Sequence, residues 1–255
     1  MLLAIVIGNT NIKLGVFRGE ELLANWRLYT HINTMTDEYA AIIINLLHHR
    51  RIDTAEIKDV GIASVVPPLT GIFQELSQRY FDTTALVVGA GLKTGFRIRM
   101  DNPREVGADR ILNAAAGKHL YGGPLIIADF GTATTFDTVS REGDYIGGAI
   151  APGIMIATEA LVTRTSQLPR VEIVRPKKAI GTNTIAAMQS GIFFGWVGLV
   201  ESIVGRIQNE LDEKARVIAT GGYANIIARE TRVIDKVDTE LTLVGLRLIY
   251  EMNRV

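Results

Sequence analysis

No cysteine occurs in this chain of 255 residues. That single absence removes disulfides, thiolate nucleophiles, Cys-ligated zinc and iron–sulfur clusters together. Net charge is also missing: 27 basic residues balance 27 acidic ones. A chain without a global basic field gives no reason to expect nucleic acid or an acidic membrane surface as partner. The histidines are four, His31, His48, His49 and His119. None has ligand spacing with carboxylates, so no transition-metal site is expected. Met1 leads straight into an apolar strand pattern, without the basic region and small-residue cleavage site of a secretory leader. The uncharged stretch Ala179–Val200 contains Gly181, Asn183, Gln189 and Ser190, and reads as a loop running into a buried or interface helix rather than a membrane span. A cytoplasmic setting is expected.

What the chain does have is ordinary globular composition, with 47% apolar and 21% charged residues. Its length suits one large domain or two modest ones. Two segments look like copies of one device. The first is Ala4-Ile5-Val6-Ile7-Gly8-Asn9-Thr10-Asn11-Ile12-Lys13, and the second is Ile127-Ala128-Asp129-Phe130-Gly131-Thr132-Ala133-Thr134-Thr135-Phe136. Each is an apolar strand that breaks at a glycine, passes small hydroxyl or amide residues, and resumes as a strand. Such a hairpin turn presents backbone N–H groups to an anion. Two of them suggest a phosphate held between two related halves. Superposed, the copies differ in one respect: Asp129 precedes its glycine by two residues, and Val6 stands at the matching place.

The periodicity predicts strands at 2–7, 11–17 and 21–29, a helix over 36–50 with a capping signal at Thr36-Asp37-Glu38-Tyr39, a strand at 59–65, a helix at 68–80 and a strand at 84–88. From Leu125 the order restarts, with strands at 125–130, 133–139 and 144–149 and a helix at 153–163. A long helix at 183–209, a strand at 215–220 and helices at 223–229 and 240–253 follow. Pro103–Leu120 is expected to be a helix joining the halves. The fold class is α/β: two ribonuclease H-like domains, 1–116 and 117–255, each a mixed sheet flanked by helices. Arg164–Thr182, with two prolines and a basic cluster at Arg175, Lys177 and Lys178, reads as an exposed excursion, either a solvated loop or a lid or dimer arm.

Gly89-Ala90-Gly91-Leu92-Lys93-Thr94-Gly95 lacks Walker A spacing and reads as a turn. Gly191, Gly195 and Gly198 share a helix with Phe193, Phe194 and Trp196, a spacing that lets another backbone approach and suggests packing across a dimer two-fold. The run from Asp101 to Arg110 is denser in chemistry. Asn102-Pro103 favours helix initiation, Gly107 is expected to open space for a ligand, Asp109 is a candidate general base and Arg110 a candidate anion binder. A charged helix face is the plain alternative.

Together, Gly8-Asn9-Thr10-Asn11-Ile12-Lys13, Asp101-Asn102-Pro103-Arg104-Glu105-Val106-Gly107-Ala108-Asp109-Arg110, Asp129-Phe130-Gly131-Thr132-Ala133-Thr134-Thr135 and Gly181-Thr182-Asn183-Thr184 with Met188-Gln189-Ser190-Gly191 resemble type III pantothenate kinase, within the actin-like ATPase and sugar and acetate kinase superfamily. The resemblance spans nearly the whole chain. It implies transfer of the ATP γ-phosphoryl group to the primary hydroxyl of pantothenate, the first step toward coenzyme A, by a cytoplasmic homodimer. It places ATP phosphates at Val6, Ile7, Gly8, Asn9, Thr10, Asn11, Ile12 and Lys13, with Thr132 also touching ATP. Asp109 would be the catalytic base. Met100, Gly107, Ala108, Asp109 and Arg110 would hold pantothenate, joined by Thr184 of the partner subunit. Asp129 would bind a monovalent cation, K⁺ or NH₄⁺, and Mg²⁺ would accompany ATP. Gly221-Gly222 resembles the superfamily's adenosine-side turn. Two positions depart from the family pattern. Val6 replaces an aspartate that helps hold the metal, and Met100 replaces a frequent tyrosine. Activity impaired at Val6 is therefore expected; a nucleotide-binding regulatory or scaffold protein of the same fold is the alternative.

Overall fold

The structure, a computed structural model, describes residues 1–254. Three strands open the chain as an antiparallel meander: β1 (Leu2–Ile7), β2 (Asn11–Arg18) and β3 (Glu21–Tyr29). Helix α1 (Thr36–His49), β4 (Asp59–Ser64), α2 (Pro67–Phe81) and β5 (Leu86–Val87) follow. Beyond helix α3 (Ala108–Tyr121) the meander recurs as β6 (Leu125–Phe130), β7 (Ala133–Val139) and β8 (Tyr145–Pro152). Then come α4 (Ile154–Thr163), α5 (Thr184–Glu210), β9 (Arg216–Gly221), α6 (Ala224–Ala228), β10 (Lys236–Val237) and α7 (Leu241–Asn253). Both sheets have five strands, ordered β3-β2-β1-β4-β5 and β8-β7-β6-β9-β10. The first strand of each meander lies between an antiparallel and a parallel neighbour. One topology is therefore written twice, as the repeated element order predicts.

The chain divides into two compact units. The first comprises Met1–Arg97, Asp101–Ala116 and the chain from Glu240 on; the second comprises Ile98–Met100 and Gly117–Thr239. The units divide at 116/117, where the sequence places the boundary, but Ile98–Met100 join the second unit and the chain from Glu240 on, with α7, joins the first. In that unit the two faces of β1 serve different cores. Leu3, Ile5 and Ile7 pack with Tyr39, Ile43 and Leu47 of α1 and Leu69, Phe73 and Leu76 of α2. Leu2, Ala4 and Val6 pack with Leu112 and Ala115 of α3 and Leu243, Leu246 and Ile249 of α7. A sheet that is apolar on both faces has to be covered twice, and α7 supplies half of the second cover. In the second unit, Ile126, Ala128 and Phe130 of β6 pack on Met188, Phe193, Trp196 and Val200 of α5 and on Ile227 of α6.

Local chemistry sets the element ends. Glu38 accepts the N–H of Met35 at 2.8 Å, so Met35 and not Thr36 occupies the cap of α1. The Thr36 hydroxyl instead donates to Glu75 of α2 at 2.9 Å. Pro67 begins α2, where its missing N–H costs nothing, and Asp82 ends it in the left-handed region. The joining segment is not one helix. A 3-10 turn at Pro103–Glu105 stops at Val106, and α3 starts afresh after Gly107. Asn102 caps this turn: its side chain accepts from Arg104 N–H and donates to Glu105. Val106 is extended and ends it.

Candidate functional site

The last register pair of the first hairpin is Ile7 with Ile12, followed by the turn Gly8–Asn11. Gly8 N–H donates to Asn11 O at 3.0 Å. A Cβ at position 8 would stand 3.0 Å from that same oxygen, so the turn selects glycine. Asn9, Thr10 and Asn11 are exposed and offer small polar groups. Ile7 and Ile12 are fully buried, and their side chains serve the core. Val6 is 6% exposed and belongs to the apolar cluster facing α3 and α7. Its register partner across the ladder is Lys13, whose Nζ donates to Thr242 Oγ1 of α7 at 3.0 Å.

Asp109 lies in the first turn of α3. Its Oδ1 accepts Arg110 N–H at 2.9 Å, a donor in the first turn that it shares with Gly107 O at 3.1 Å. A Cβ on Gly107 would meet this oxygen at 2.7 Å. Gly107 therefore makes room for the carboxylate of Asp109. The same Cβ position is 4.0 Å from Val65 Cγ1, and Val65 N–H donates to Ile7 O at 3.0 Å. Ala108 and Ile111 pack on the cluster that holds Val6. The carboxylate of Asp109 and the end of β1 are thus brought together around Val65. Ala108 and Arg110 are half-buried beside them.

In the second unit, Asp129 pairs in register with Thr135 of β7 and Thr220 of β9. Its Oδ1 would be 2.6 Å from a Cβ at Gly221, where φ is +93°, and 3.6 Å from one at Gly131. Two glycines therefore wall the half-buried carboxylate. Gly131 N–H donates to Ala133 O at 3.0 Å, and half-buried Thr132 forms the turn beside it. Gly222 N–H donates to Phe130 O at 3.1 Å, tying the Gly221-Gly222 turn to this hairpin. Met100 is placed by its neighbour: Arg99 donates its backbone N–H to Tyr145 O at 2.7 Å and its guanidinium to Asp144 at 2.7 and 2.8 Å. The thioether sulfur of Met100 stands 3.3 Å from where a Cβ of Gly147 would be. Thr184 is exposed at the start of α5, whose cap is Asn183 accepting Ala186 N–H at 2.9 Å.

The predicted site residues therefore group by unit. Positions 6–13 and 107–110 lie in the first; Met100, Asp129, Thr132 and Thr184 lie in the second. Two residues that support the turns were not singled out from sequence. The Thr30 hydroxyl donates to Gly8 O at 2.6 Å and its N–H to Thr10 O at 3.0 Å. A Cβ on Gly153 would fall 2.0 Å from Thr132 O. Pro152-Gly153 signals a turn in sequence, whereas nothing local marks Thr30, which is 22 residues from its partner.

Above Gly191, Gly195 and Gly198, a Cβ would meet nothing within 4 Å. Beside this open stripe runs an apolar groove of about 910 Å³ lined by residues of α4, α5 and the preceding loop, among them Leu161, Leu168, Met188, Trp196 and Leu199. Helix α5 is long and apolar enough to cross a membrane by length and composition, and 44% of its apolar window is buried inside the protein.

Comparison with known proteins assigns the family. The profile of type III pantothenate kinase matches residues 2–206. A protein from Dehalococcoides mccartyi (strain ATCC BAA-2100 / JCM 16839 / KCTC 5957 / BAV1) with that name is 59% identical over 254 residues, covering 100% of this chain and 97% of its own length. One from Moorella thermoacetica, likewise named, is 54% identical, covering 99% of this chain and 100% of its own. Among solved structures, a conserved putative Baf family transcriptional activator from Campylobacter jejuni superposes with a TM-score of 0.61 at 18% identity, over 98% of both chains. That likeness is one of fold, the actin-like ATPase and sugar kinase architecture. On its family profile and its full-length relatives, this chain belongs to the type III pantothenate kinases.

Proposed function

We propose that the chain phosphorylates pantothenate with ATP, giving 4′-phosphopantothenate and ADP, the entry to coenzyme A synthesis. The observation that carries this reading is the carboxylate of Asp109 set beside the end of β1, around Val65 and just before the phosphate-type turn, in a chain of this family. Asp109 accepts the proton of the primary hydroxyl, whose oxygen attacks the γ-phosphorus while ADP leaves. The turn Gly8–Asn11 holds phosphate oxygens through N–H groups, and Lys13 adds positive charge on the same hairpin. Arg110 binds the pantothenate carboxylate, as a planar guanidinium suits that group. Gly107 and Ala108 complete the acceptor side, with Met100 packing on the substrate and Thr184 reaching it from the neighbouring subunit. Thr132 contacts ATP.

Among the described residues no three His, Asp or Glu side chains converge as a metal-holding group. Val6 offers a divalent ion accompanying ATP no side-chain oxygen, so phosphate oxygens and water would carry more of its coordination. Asp129 suits a different ion: one hard carboxylate in a glycine-walled, half-buried recess fits a singly charged cation such as K⁺ or NH₄⁺. Bound Mg²⁺ and K⁺ would neutralise phosphate charge as it shifts toward the leaving group.

The groove and open glycine stripe of α5 favour a homodimer. Exposed Met155, Ile156, Leu161 and Ile185 add apolar surface on α4 and α5, an excess that a subunit interface would bury. The cytoplasm, where ATP and pantothenate meet, is the proposed setting. The test is coupled ADP release with ATP, Mg²⁺ and K⁺. Turnover that depends on pantothenate is expected, slow in the chain as it stands. ADP release indifferent to pantothenate would overturn the acceptor assignment.

A further inference from the structure

We propose that Thr30 is a positioning residue for the phosphate-binding turn, an inference that rests on the first hairpin holding ATP phosphates. Thr30 lies just past the end of β3 and grips the turn from its carbonyl side. Its hydroxyl donates to Gly8 O at 2.6 Å and its backbone N–H to Thr10 O at 3.0 Å. A trans peptide is planar, with its C=O and the following N–H pointing opposite ways. Fixing the carbonyls of Gly8 and Thr10 therefore fixes the N–H groups of Asn9 and Asn11, aimed away from Thr30. Threonine suits the task because β-branching limits its χ1 freedom.

Thr30 is itself anchored. The next residue, His31, donates its N–H to Tyr39 Oη at 3.1 Å and accepts the Tyr39 hydroxyl at 3.1 Å on its carbonyl. Tyr39 is 2% exposed, with its ring 4.8 Å from that of Phe73. A rigid path thus runs from the α1–α2 core to the turn. The second unit holds its own turn from the same topological place by other means. The chain leaving β8 approaches so closely that a Cβ on Gly153 would be 2.0 Å from Thr132 O and 2.7 Å from Gly131 O. Both turns are therefore braced on the carbonyl side by whatever follows the third strand. Donors aimed before the ligand arrives need no reordering on binding.

The test is ATP binding by titration calorimetry to the chain and its Thr30→Val and Thr30→Ser variants, with thermal melting alongside. Thr30→Val keeps the backbone bond and the shape but loses the hydroxyl; about tenfold weaker ATP binding is expected, with Thr30→Ser within twofold of the parent. In turnover the KM for ATP should rise about tenfold while that for pantothenate stays within twofold. A role in folding alone would lower the active fraction and leave both KM values in place. Unchanged ATP affinity in a folded Thr30→Val would overturn the proposal, as would a tenfold loss in Thr30→Ser. If Thr30→Val does not fold, Tyr39→Phe decides, with about threefold weaker ATP binding expected and none overturning it. Failure of pantothenate turnover in every form, with the ATP effect intact, would refute the acceptor assignment and leave Thr30 standing.

Discussion

Replacing Val6 by aspartate restores to β1 the carboxylate that β6 carries as Asp129, two residues before each turn glycine. The cost can be worked from the structure. Val6 is 6% exposed among Ala4, Ala63 and Leu112, so removing its apolar side chain forfeits about 1.5 kcal/mol. Burying a carboxylate there adds a desolvation penalty of several kcal/mol. Lys13 offsets much of it. The two residues are register partners, and an ammonium with three donors can serve Thr242 and a carboxylate together. An ion pair at about 4 Å and an effective dielectric of about 20 is worth about 4 kcal/mol. A net loss of about 2 kcal/mol remains, which in a chain of this size lowers the melting temperature by about 4–8 °C.

The rate should move the other way. With Val6, ATP-bound metal has no protein oxygen at this strand, so kinase activity is expected to be weak or undetectable while nucleotide still binds through the turn. Val6→Asp should raise turnover at least tenfold, about 1.4 kcal/mol of transition-state stabilisation. Coupled ADP release with pantothenate, ATP, Mg²⁺ and K⁺ measures both forms, and melting measures the cost. Equal, robust rates would show that position 6 is dispensable and end the metal argument. A faster variant that is also more stable would refute the burial reasoning while sparing the catalytic one.

Asp109→Asn should leave folding and ATP affinity largely intact and cut turnover by about 10²-fold or more; rates within a factor of two would remove Asp109 as the base. Light scattering at micromolar concentration should give about twice 27.9 kDa, and an active strict monomer would rule out a shared site at Thr184. Burial, and then the hydrogen bond to Asp59 at 2.5 Å, push the Tyr250 phenol up to about 12 from its ordinary 10.0. The folded state then holds this proton more tightly, so its contribution is complete below pH about 10 and drains away as pH rises toward about 12. Tyr250→Phe should flatten that alkaline loss in melting experiments across pH 9–12; an unchanged slope would show that other groups cause it.

The parts legible in the sequence were those that local periodicity and turn chemistry encode. A continuous apolar run marked β1, an apolar-rich run after Gly8-Asn9-Thr10 marked β2, and the break between them marked their turn. The restart at Leu125 revealed the second meander. What stayed hidden depends on contacts between distant segments. The sequence predicts a helix at 240–253 but carries no label for the sheet it covers, and only packing shows Leu243, Leu246 and Ile249 against Leu2, Ala4 and Val6. Pro103 to Leu120 reads as one helix by its charged and apolar spacing, yet Asn102 caps a short turn and the segment breaks at Val106-Gly107, where glycine is a poor helix former.

Gly107 shows how a missing side chain can serve another residue of the same chain. A glycine beside charged residues suggests room for a ligand, because missing side chains are all that a sequence displays. In the folded chain that room is filled by the carboxylate of Asp109, turned back onto Arg110 N–H at 2.9 Å. The same logic applies to Gly221, whose Cβ would strike Asp129. Each unit therefore spends a glycine on admitting one carboxylate. In the first unit that carboxylate comes from a helix start near the end of β1; in the second it rises from the strand itself. The duplicated scaffolds thus hold their acids at different places, a difference that fits the distinct roles proposed for Asp109 and Asp129. Val6 keeps the packing against α3 and α7 that a carboxylate would interrupt; Asp109, proposed as the base, does not replace a metal-orienting group at position 6, so the expected cost of valine falls on the rate and not on the fold.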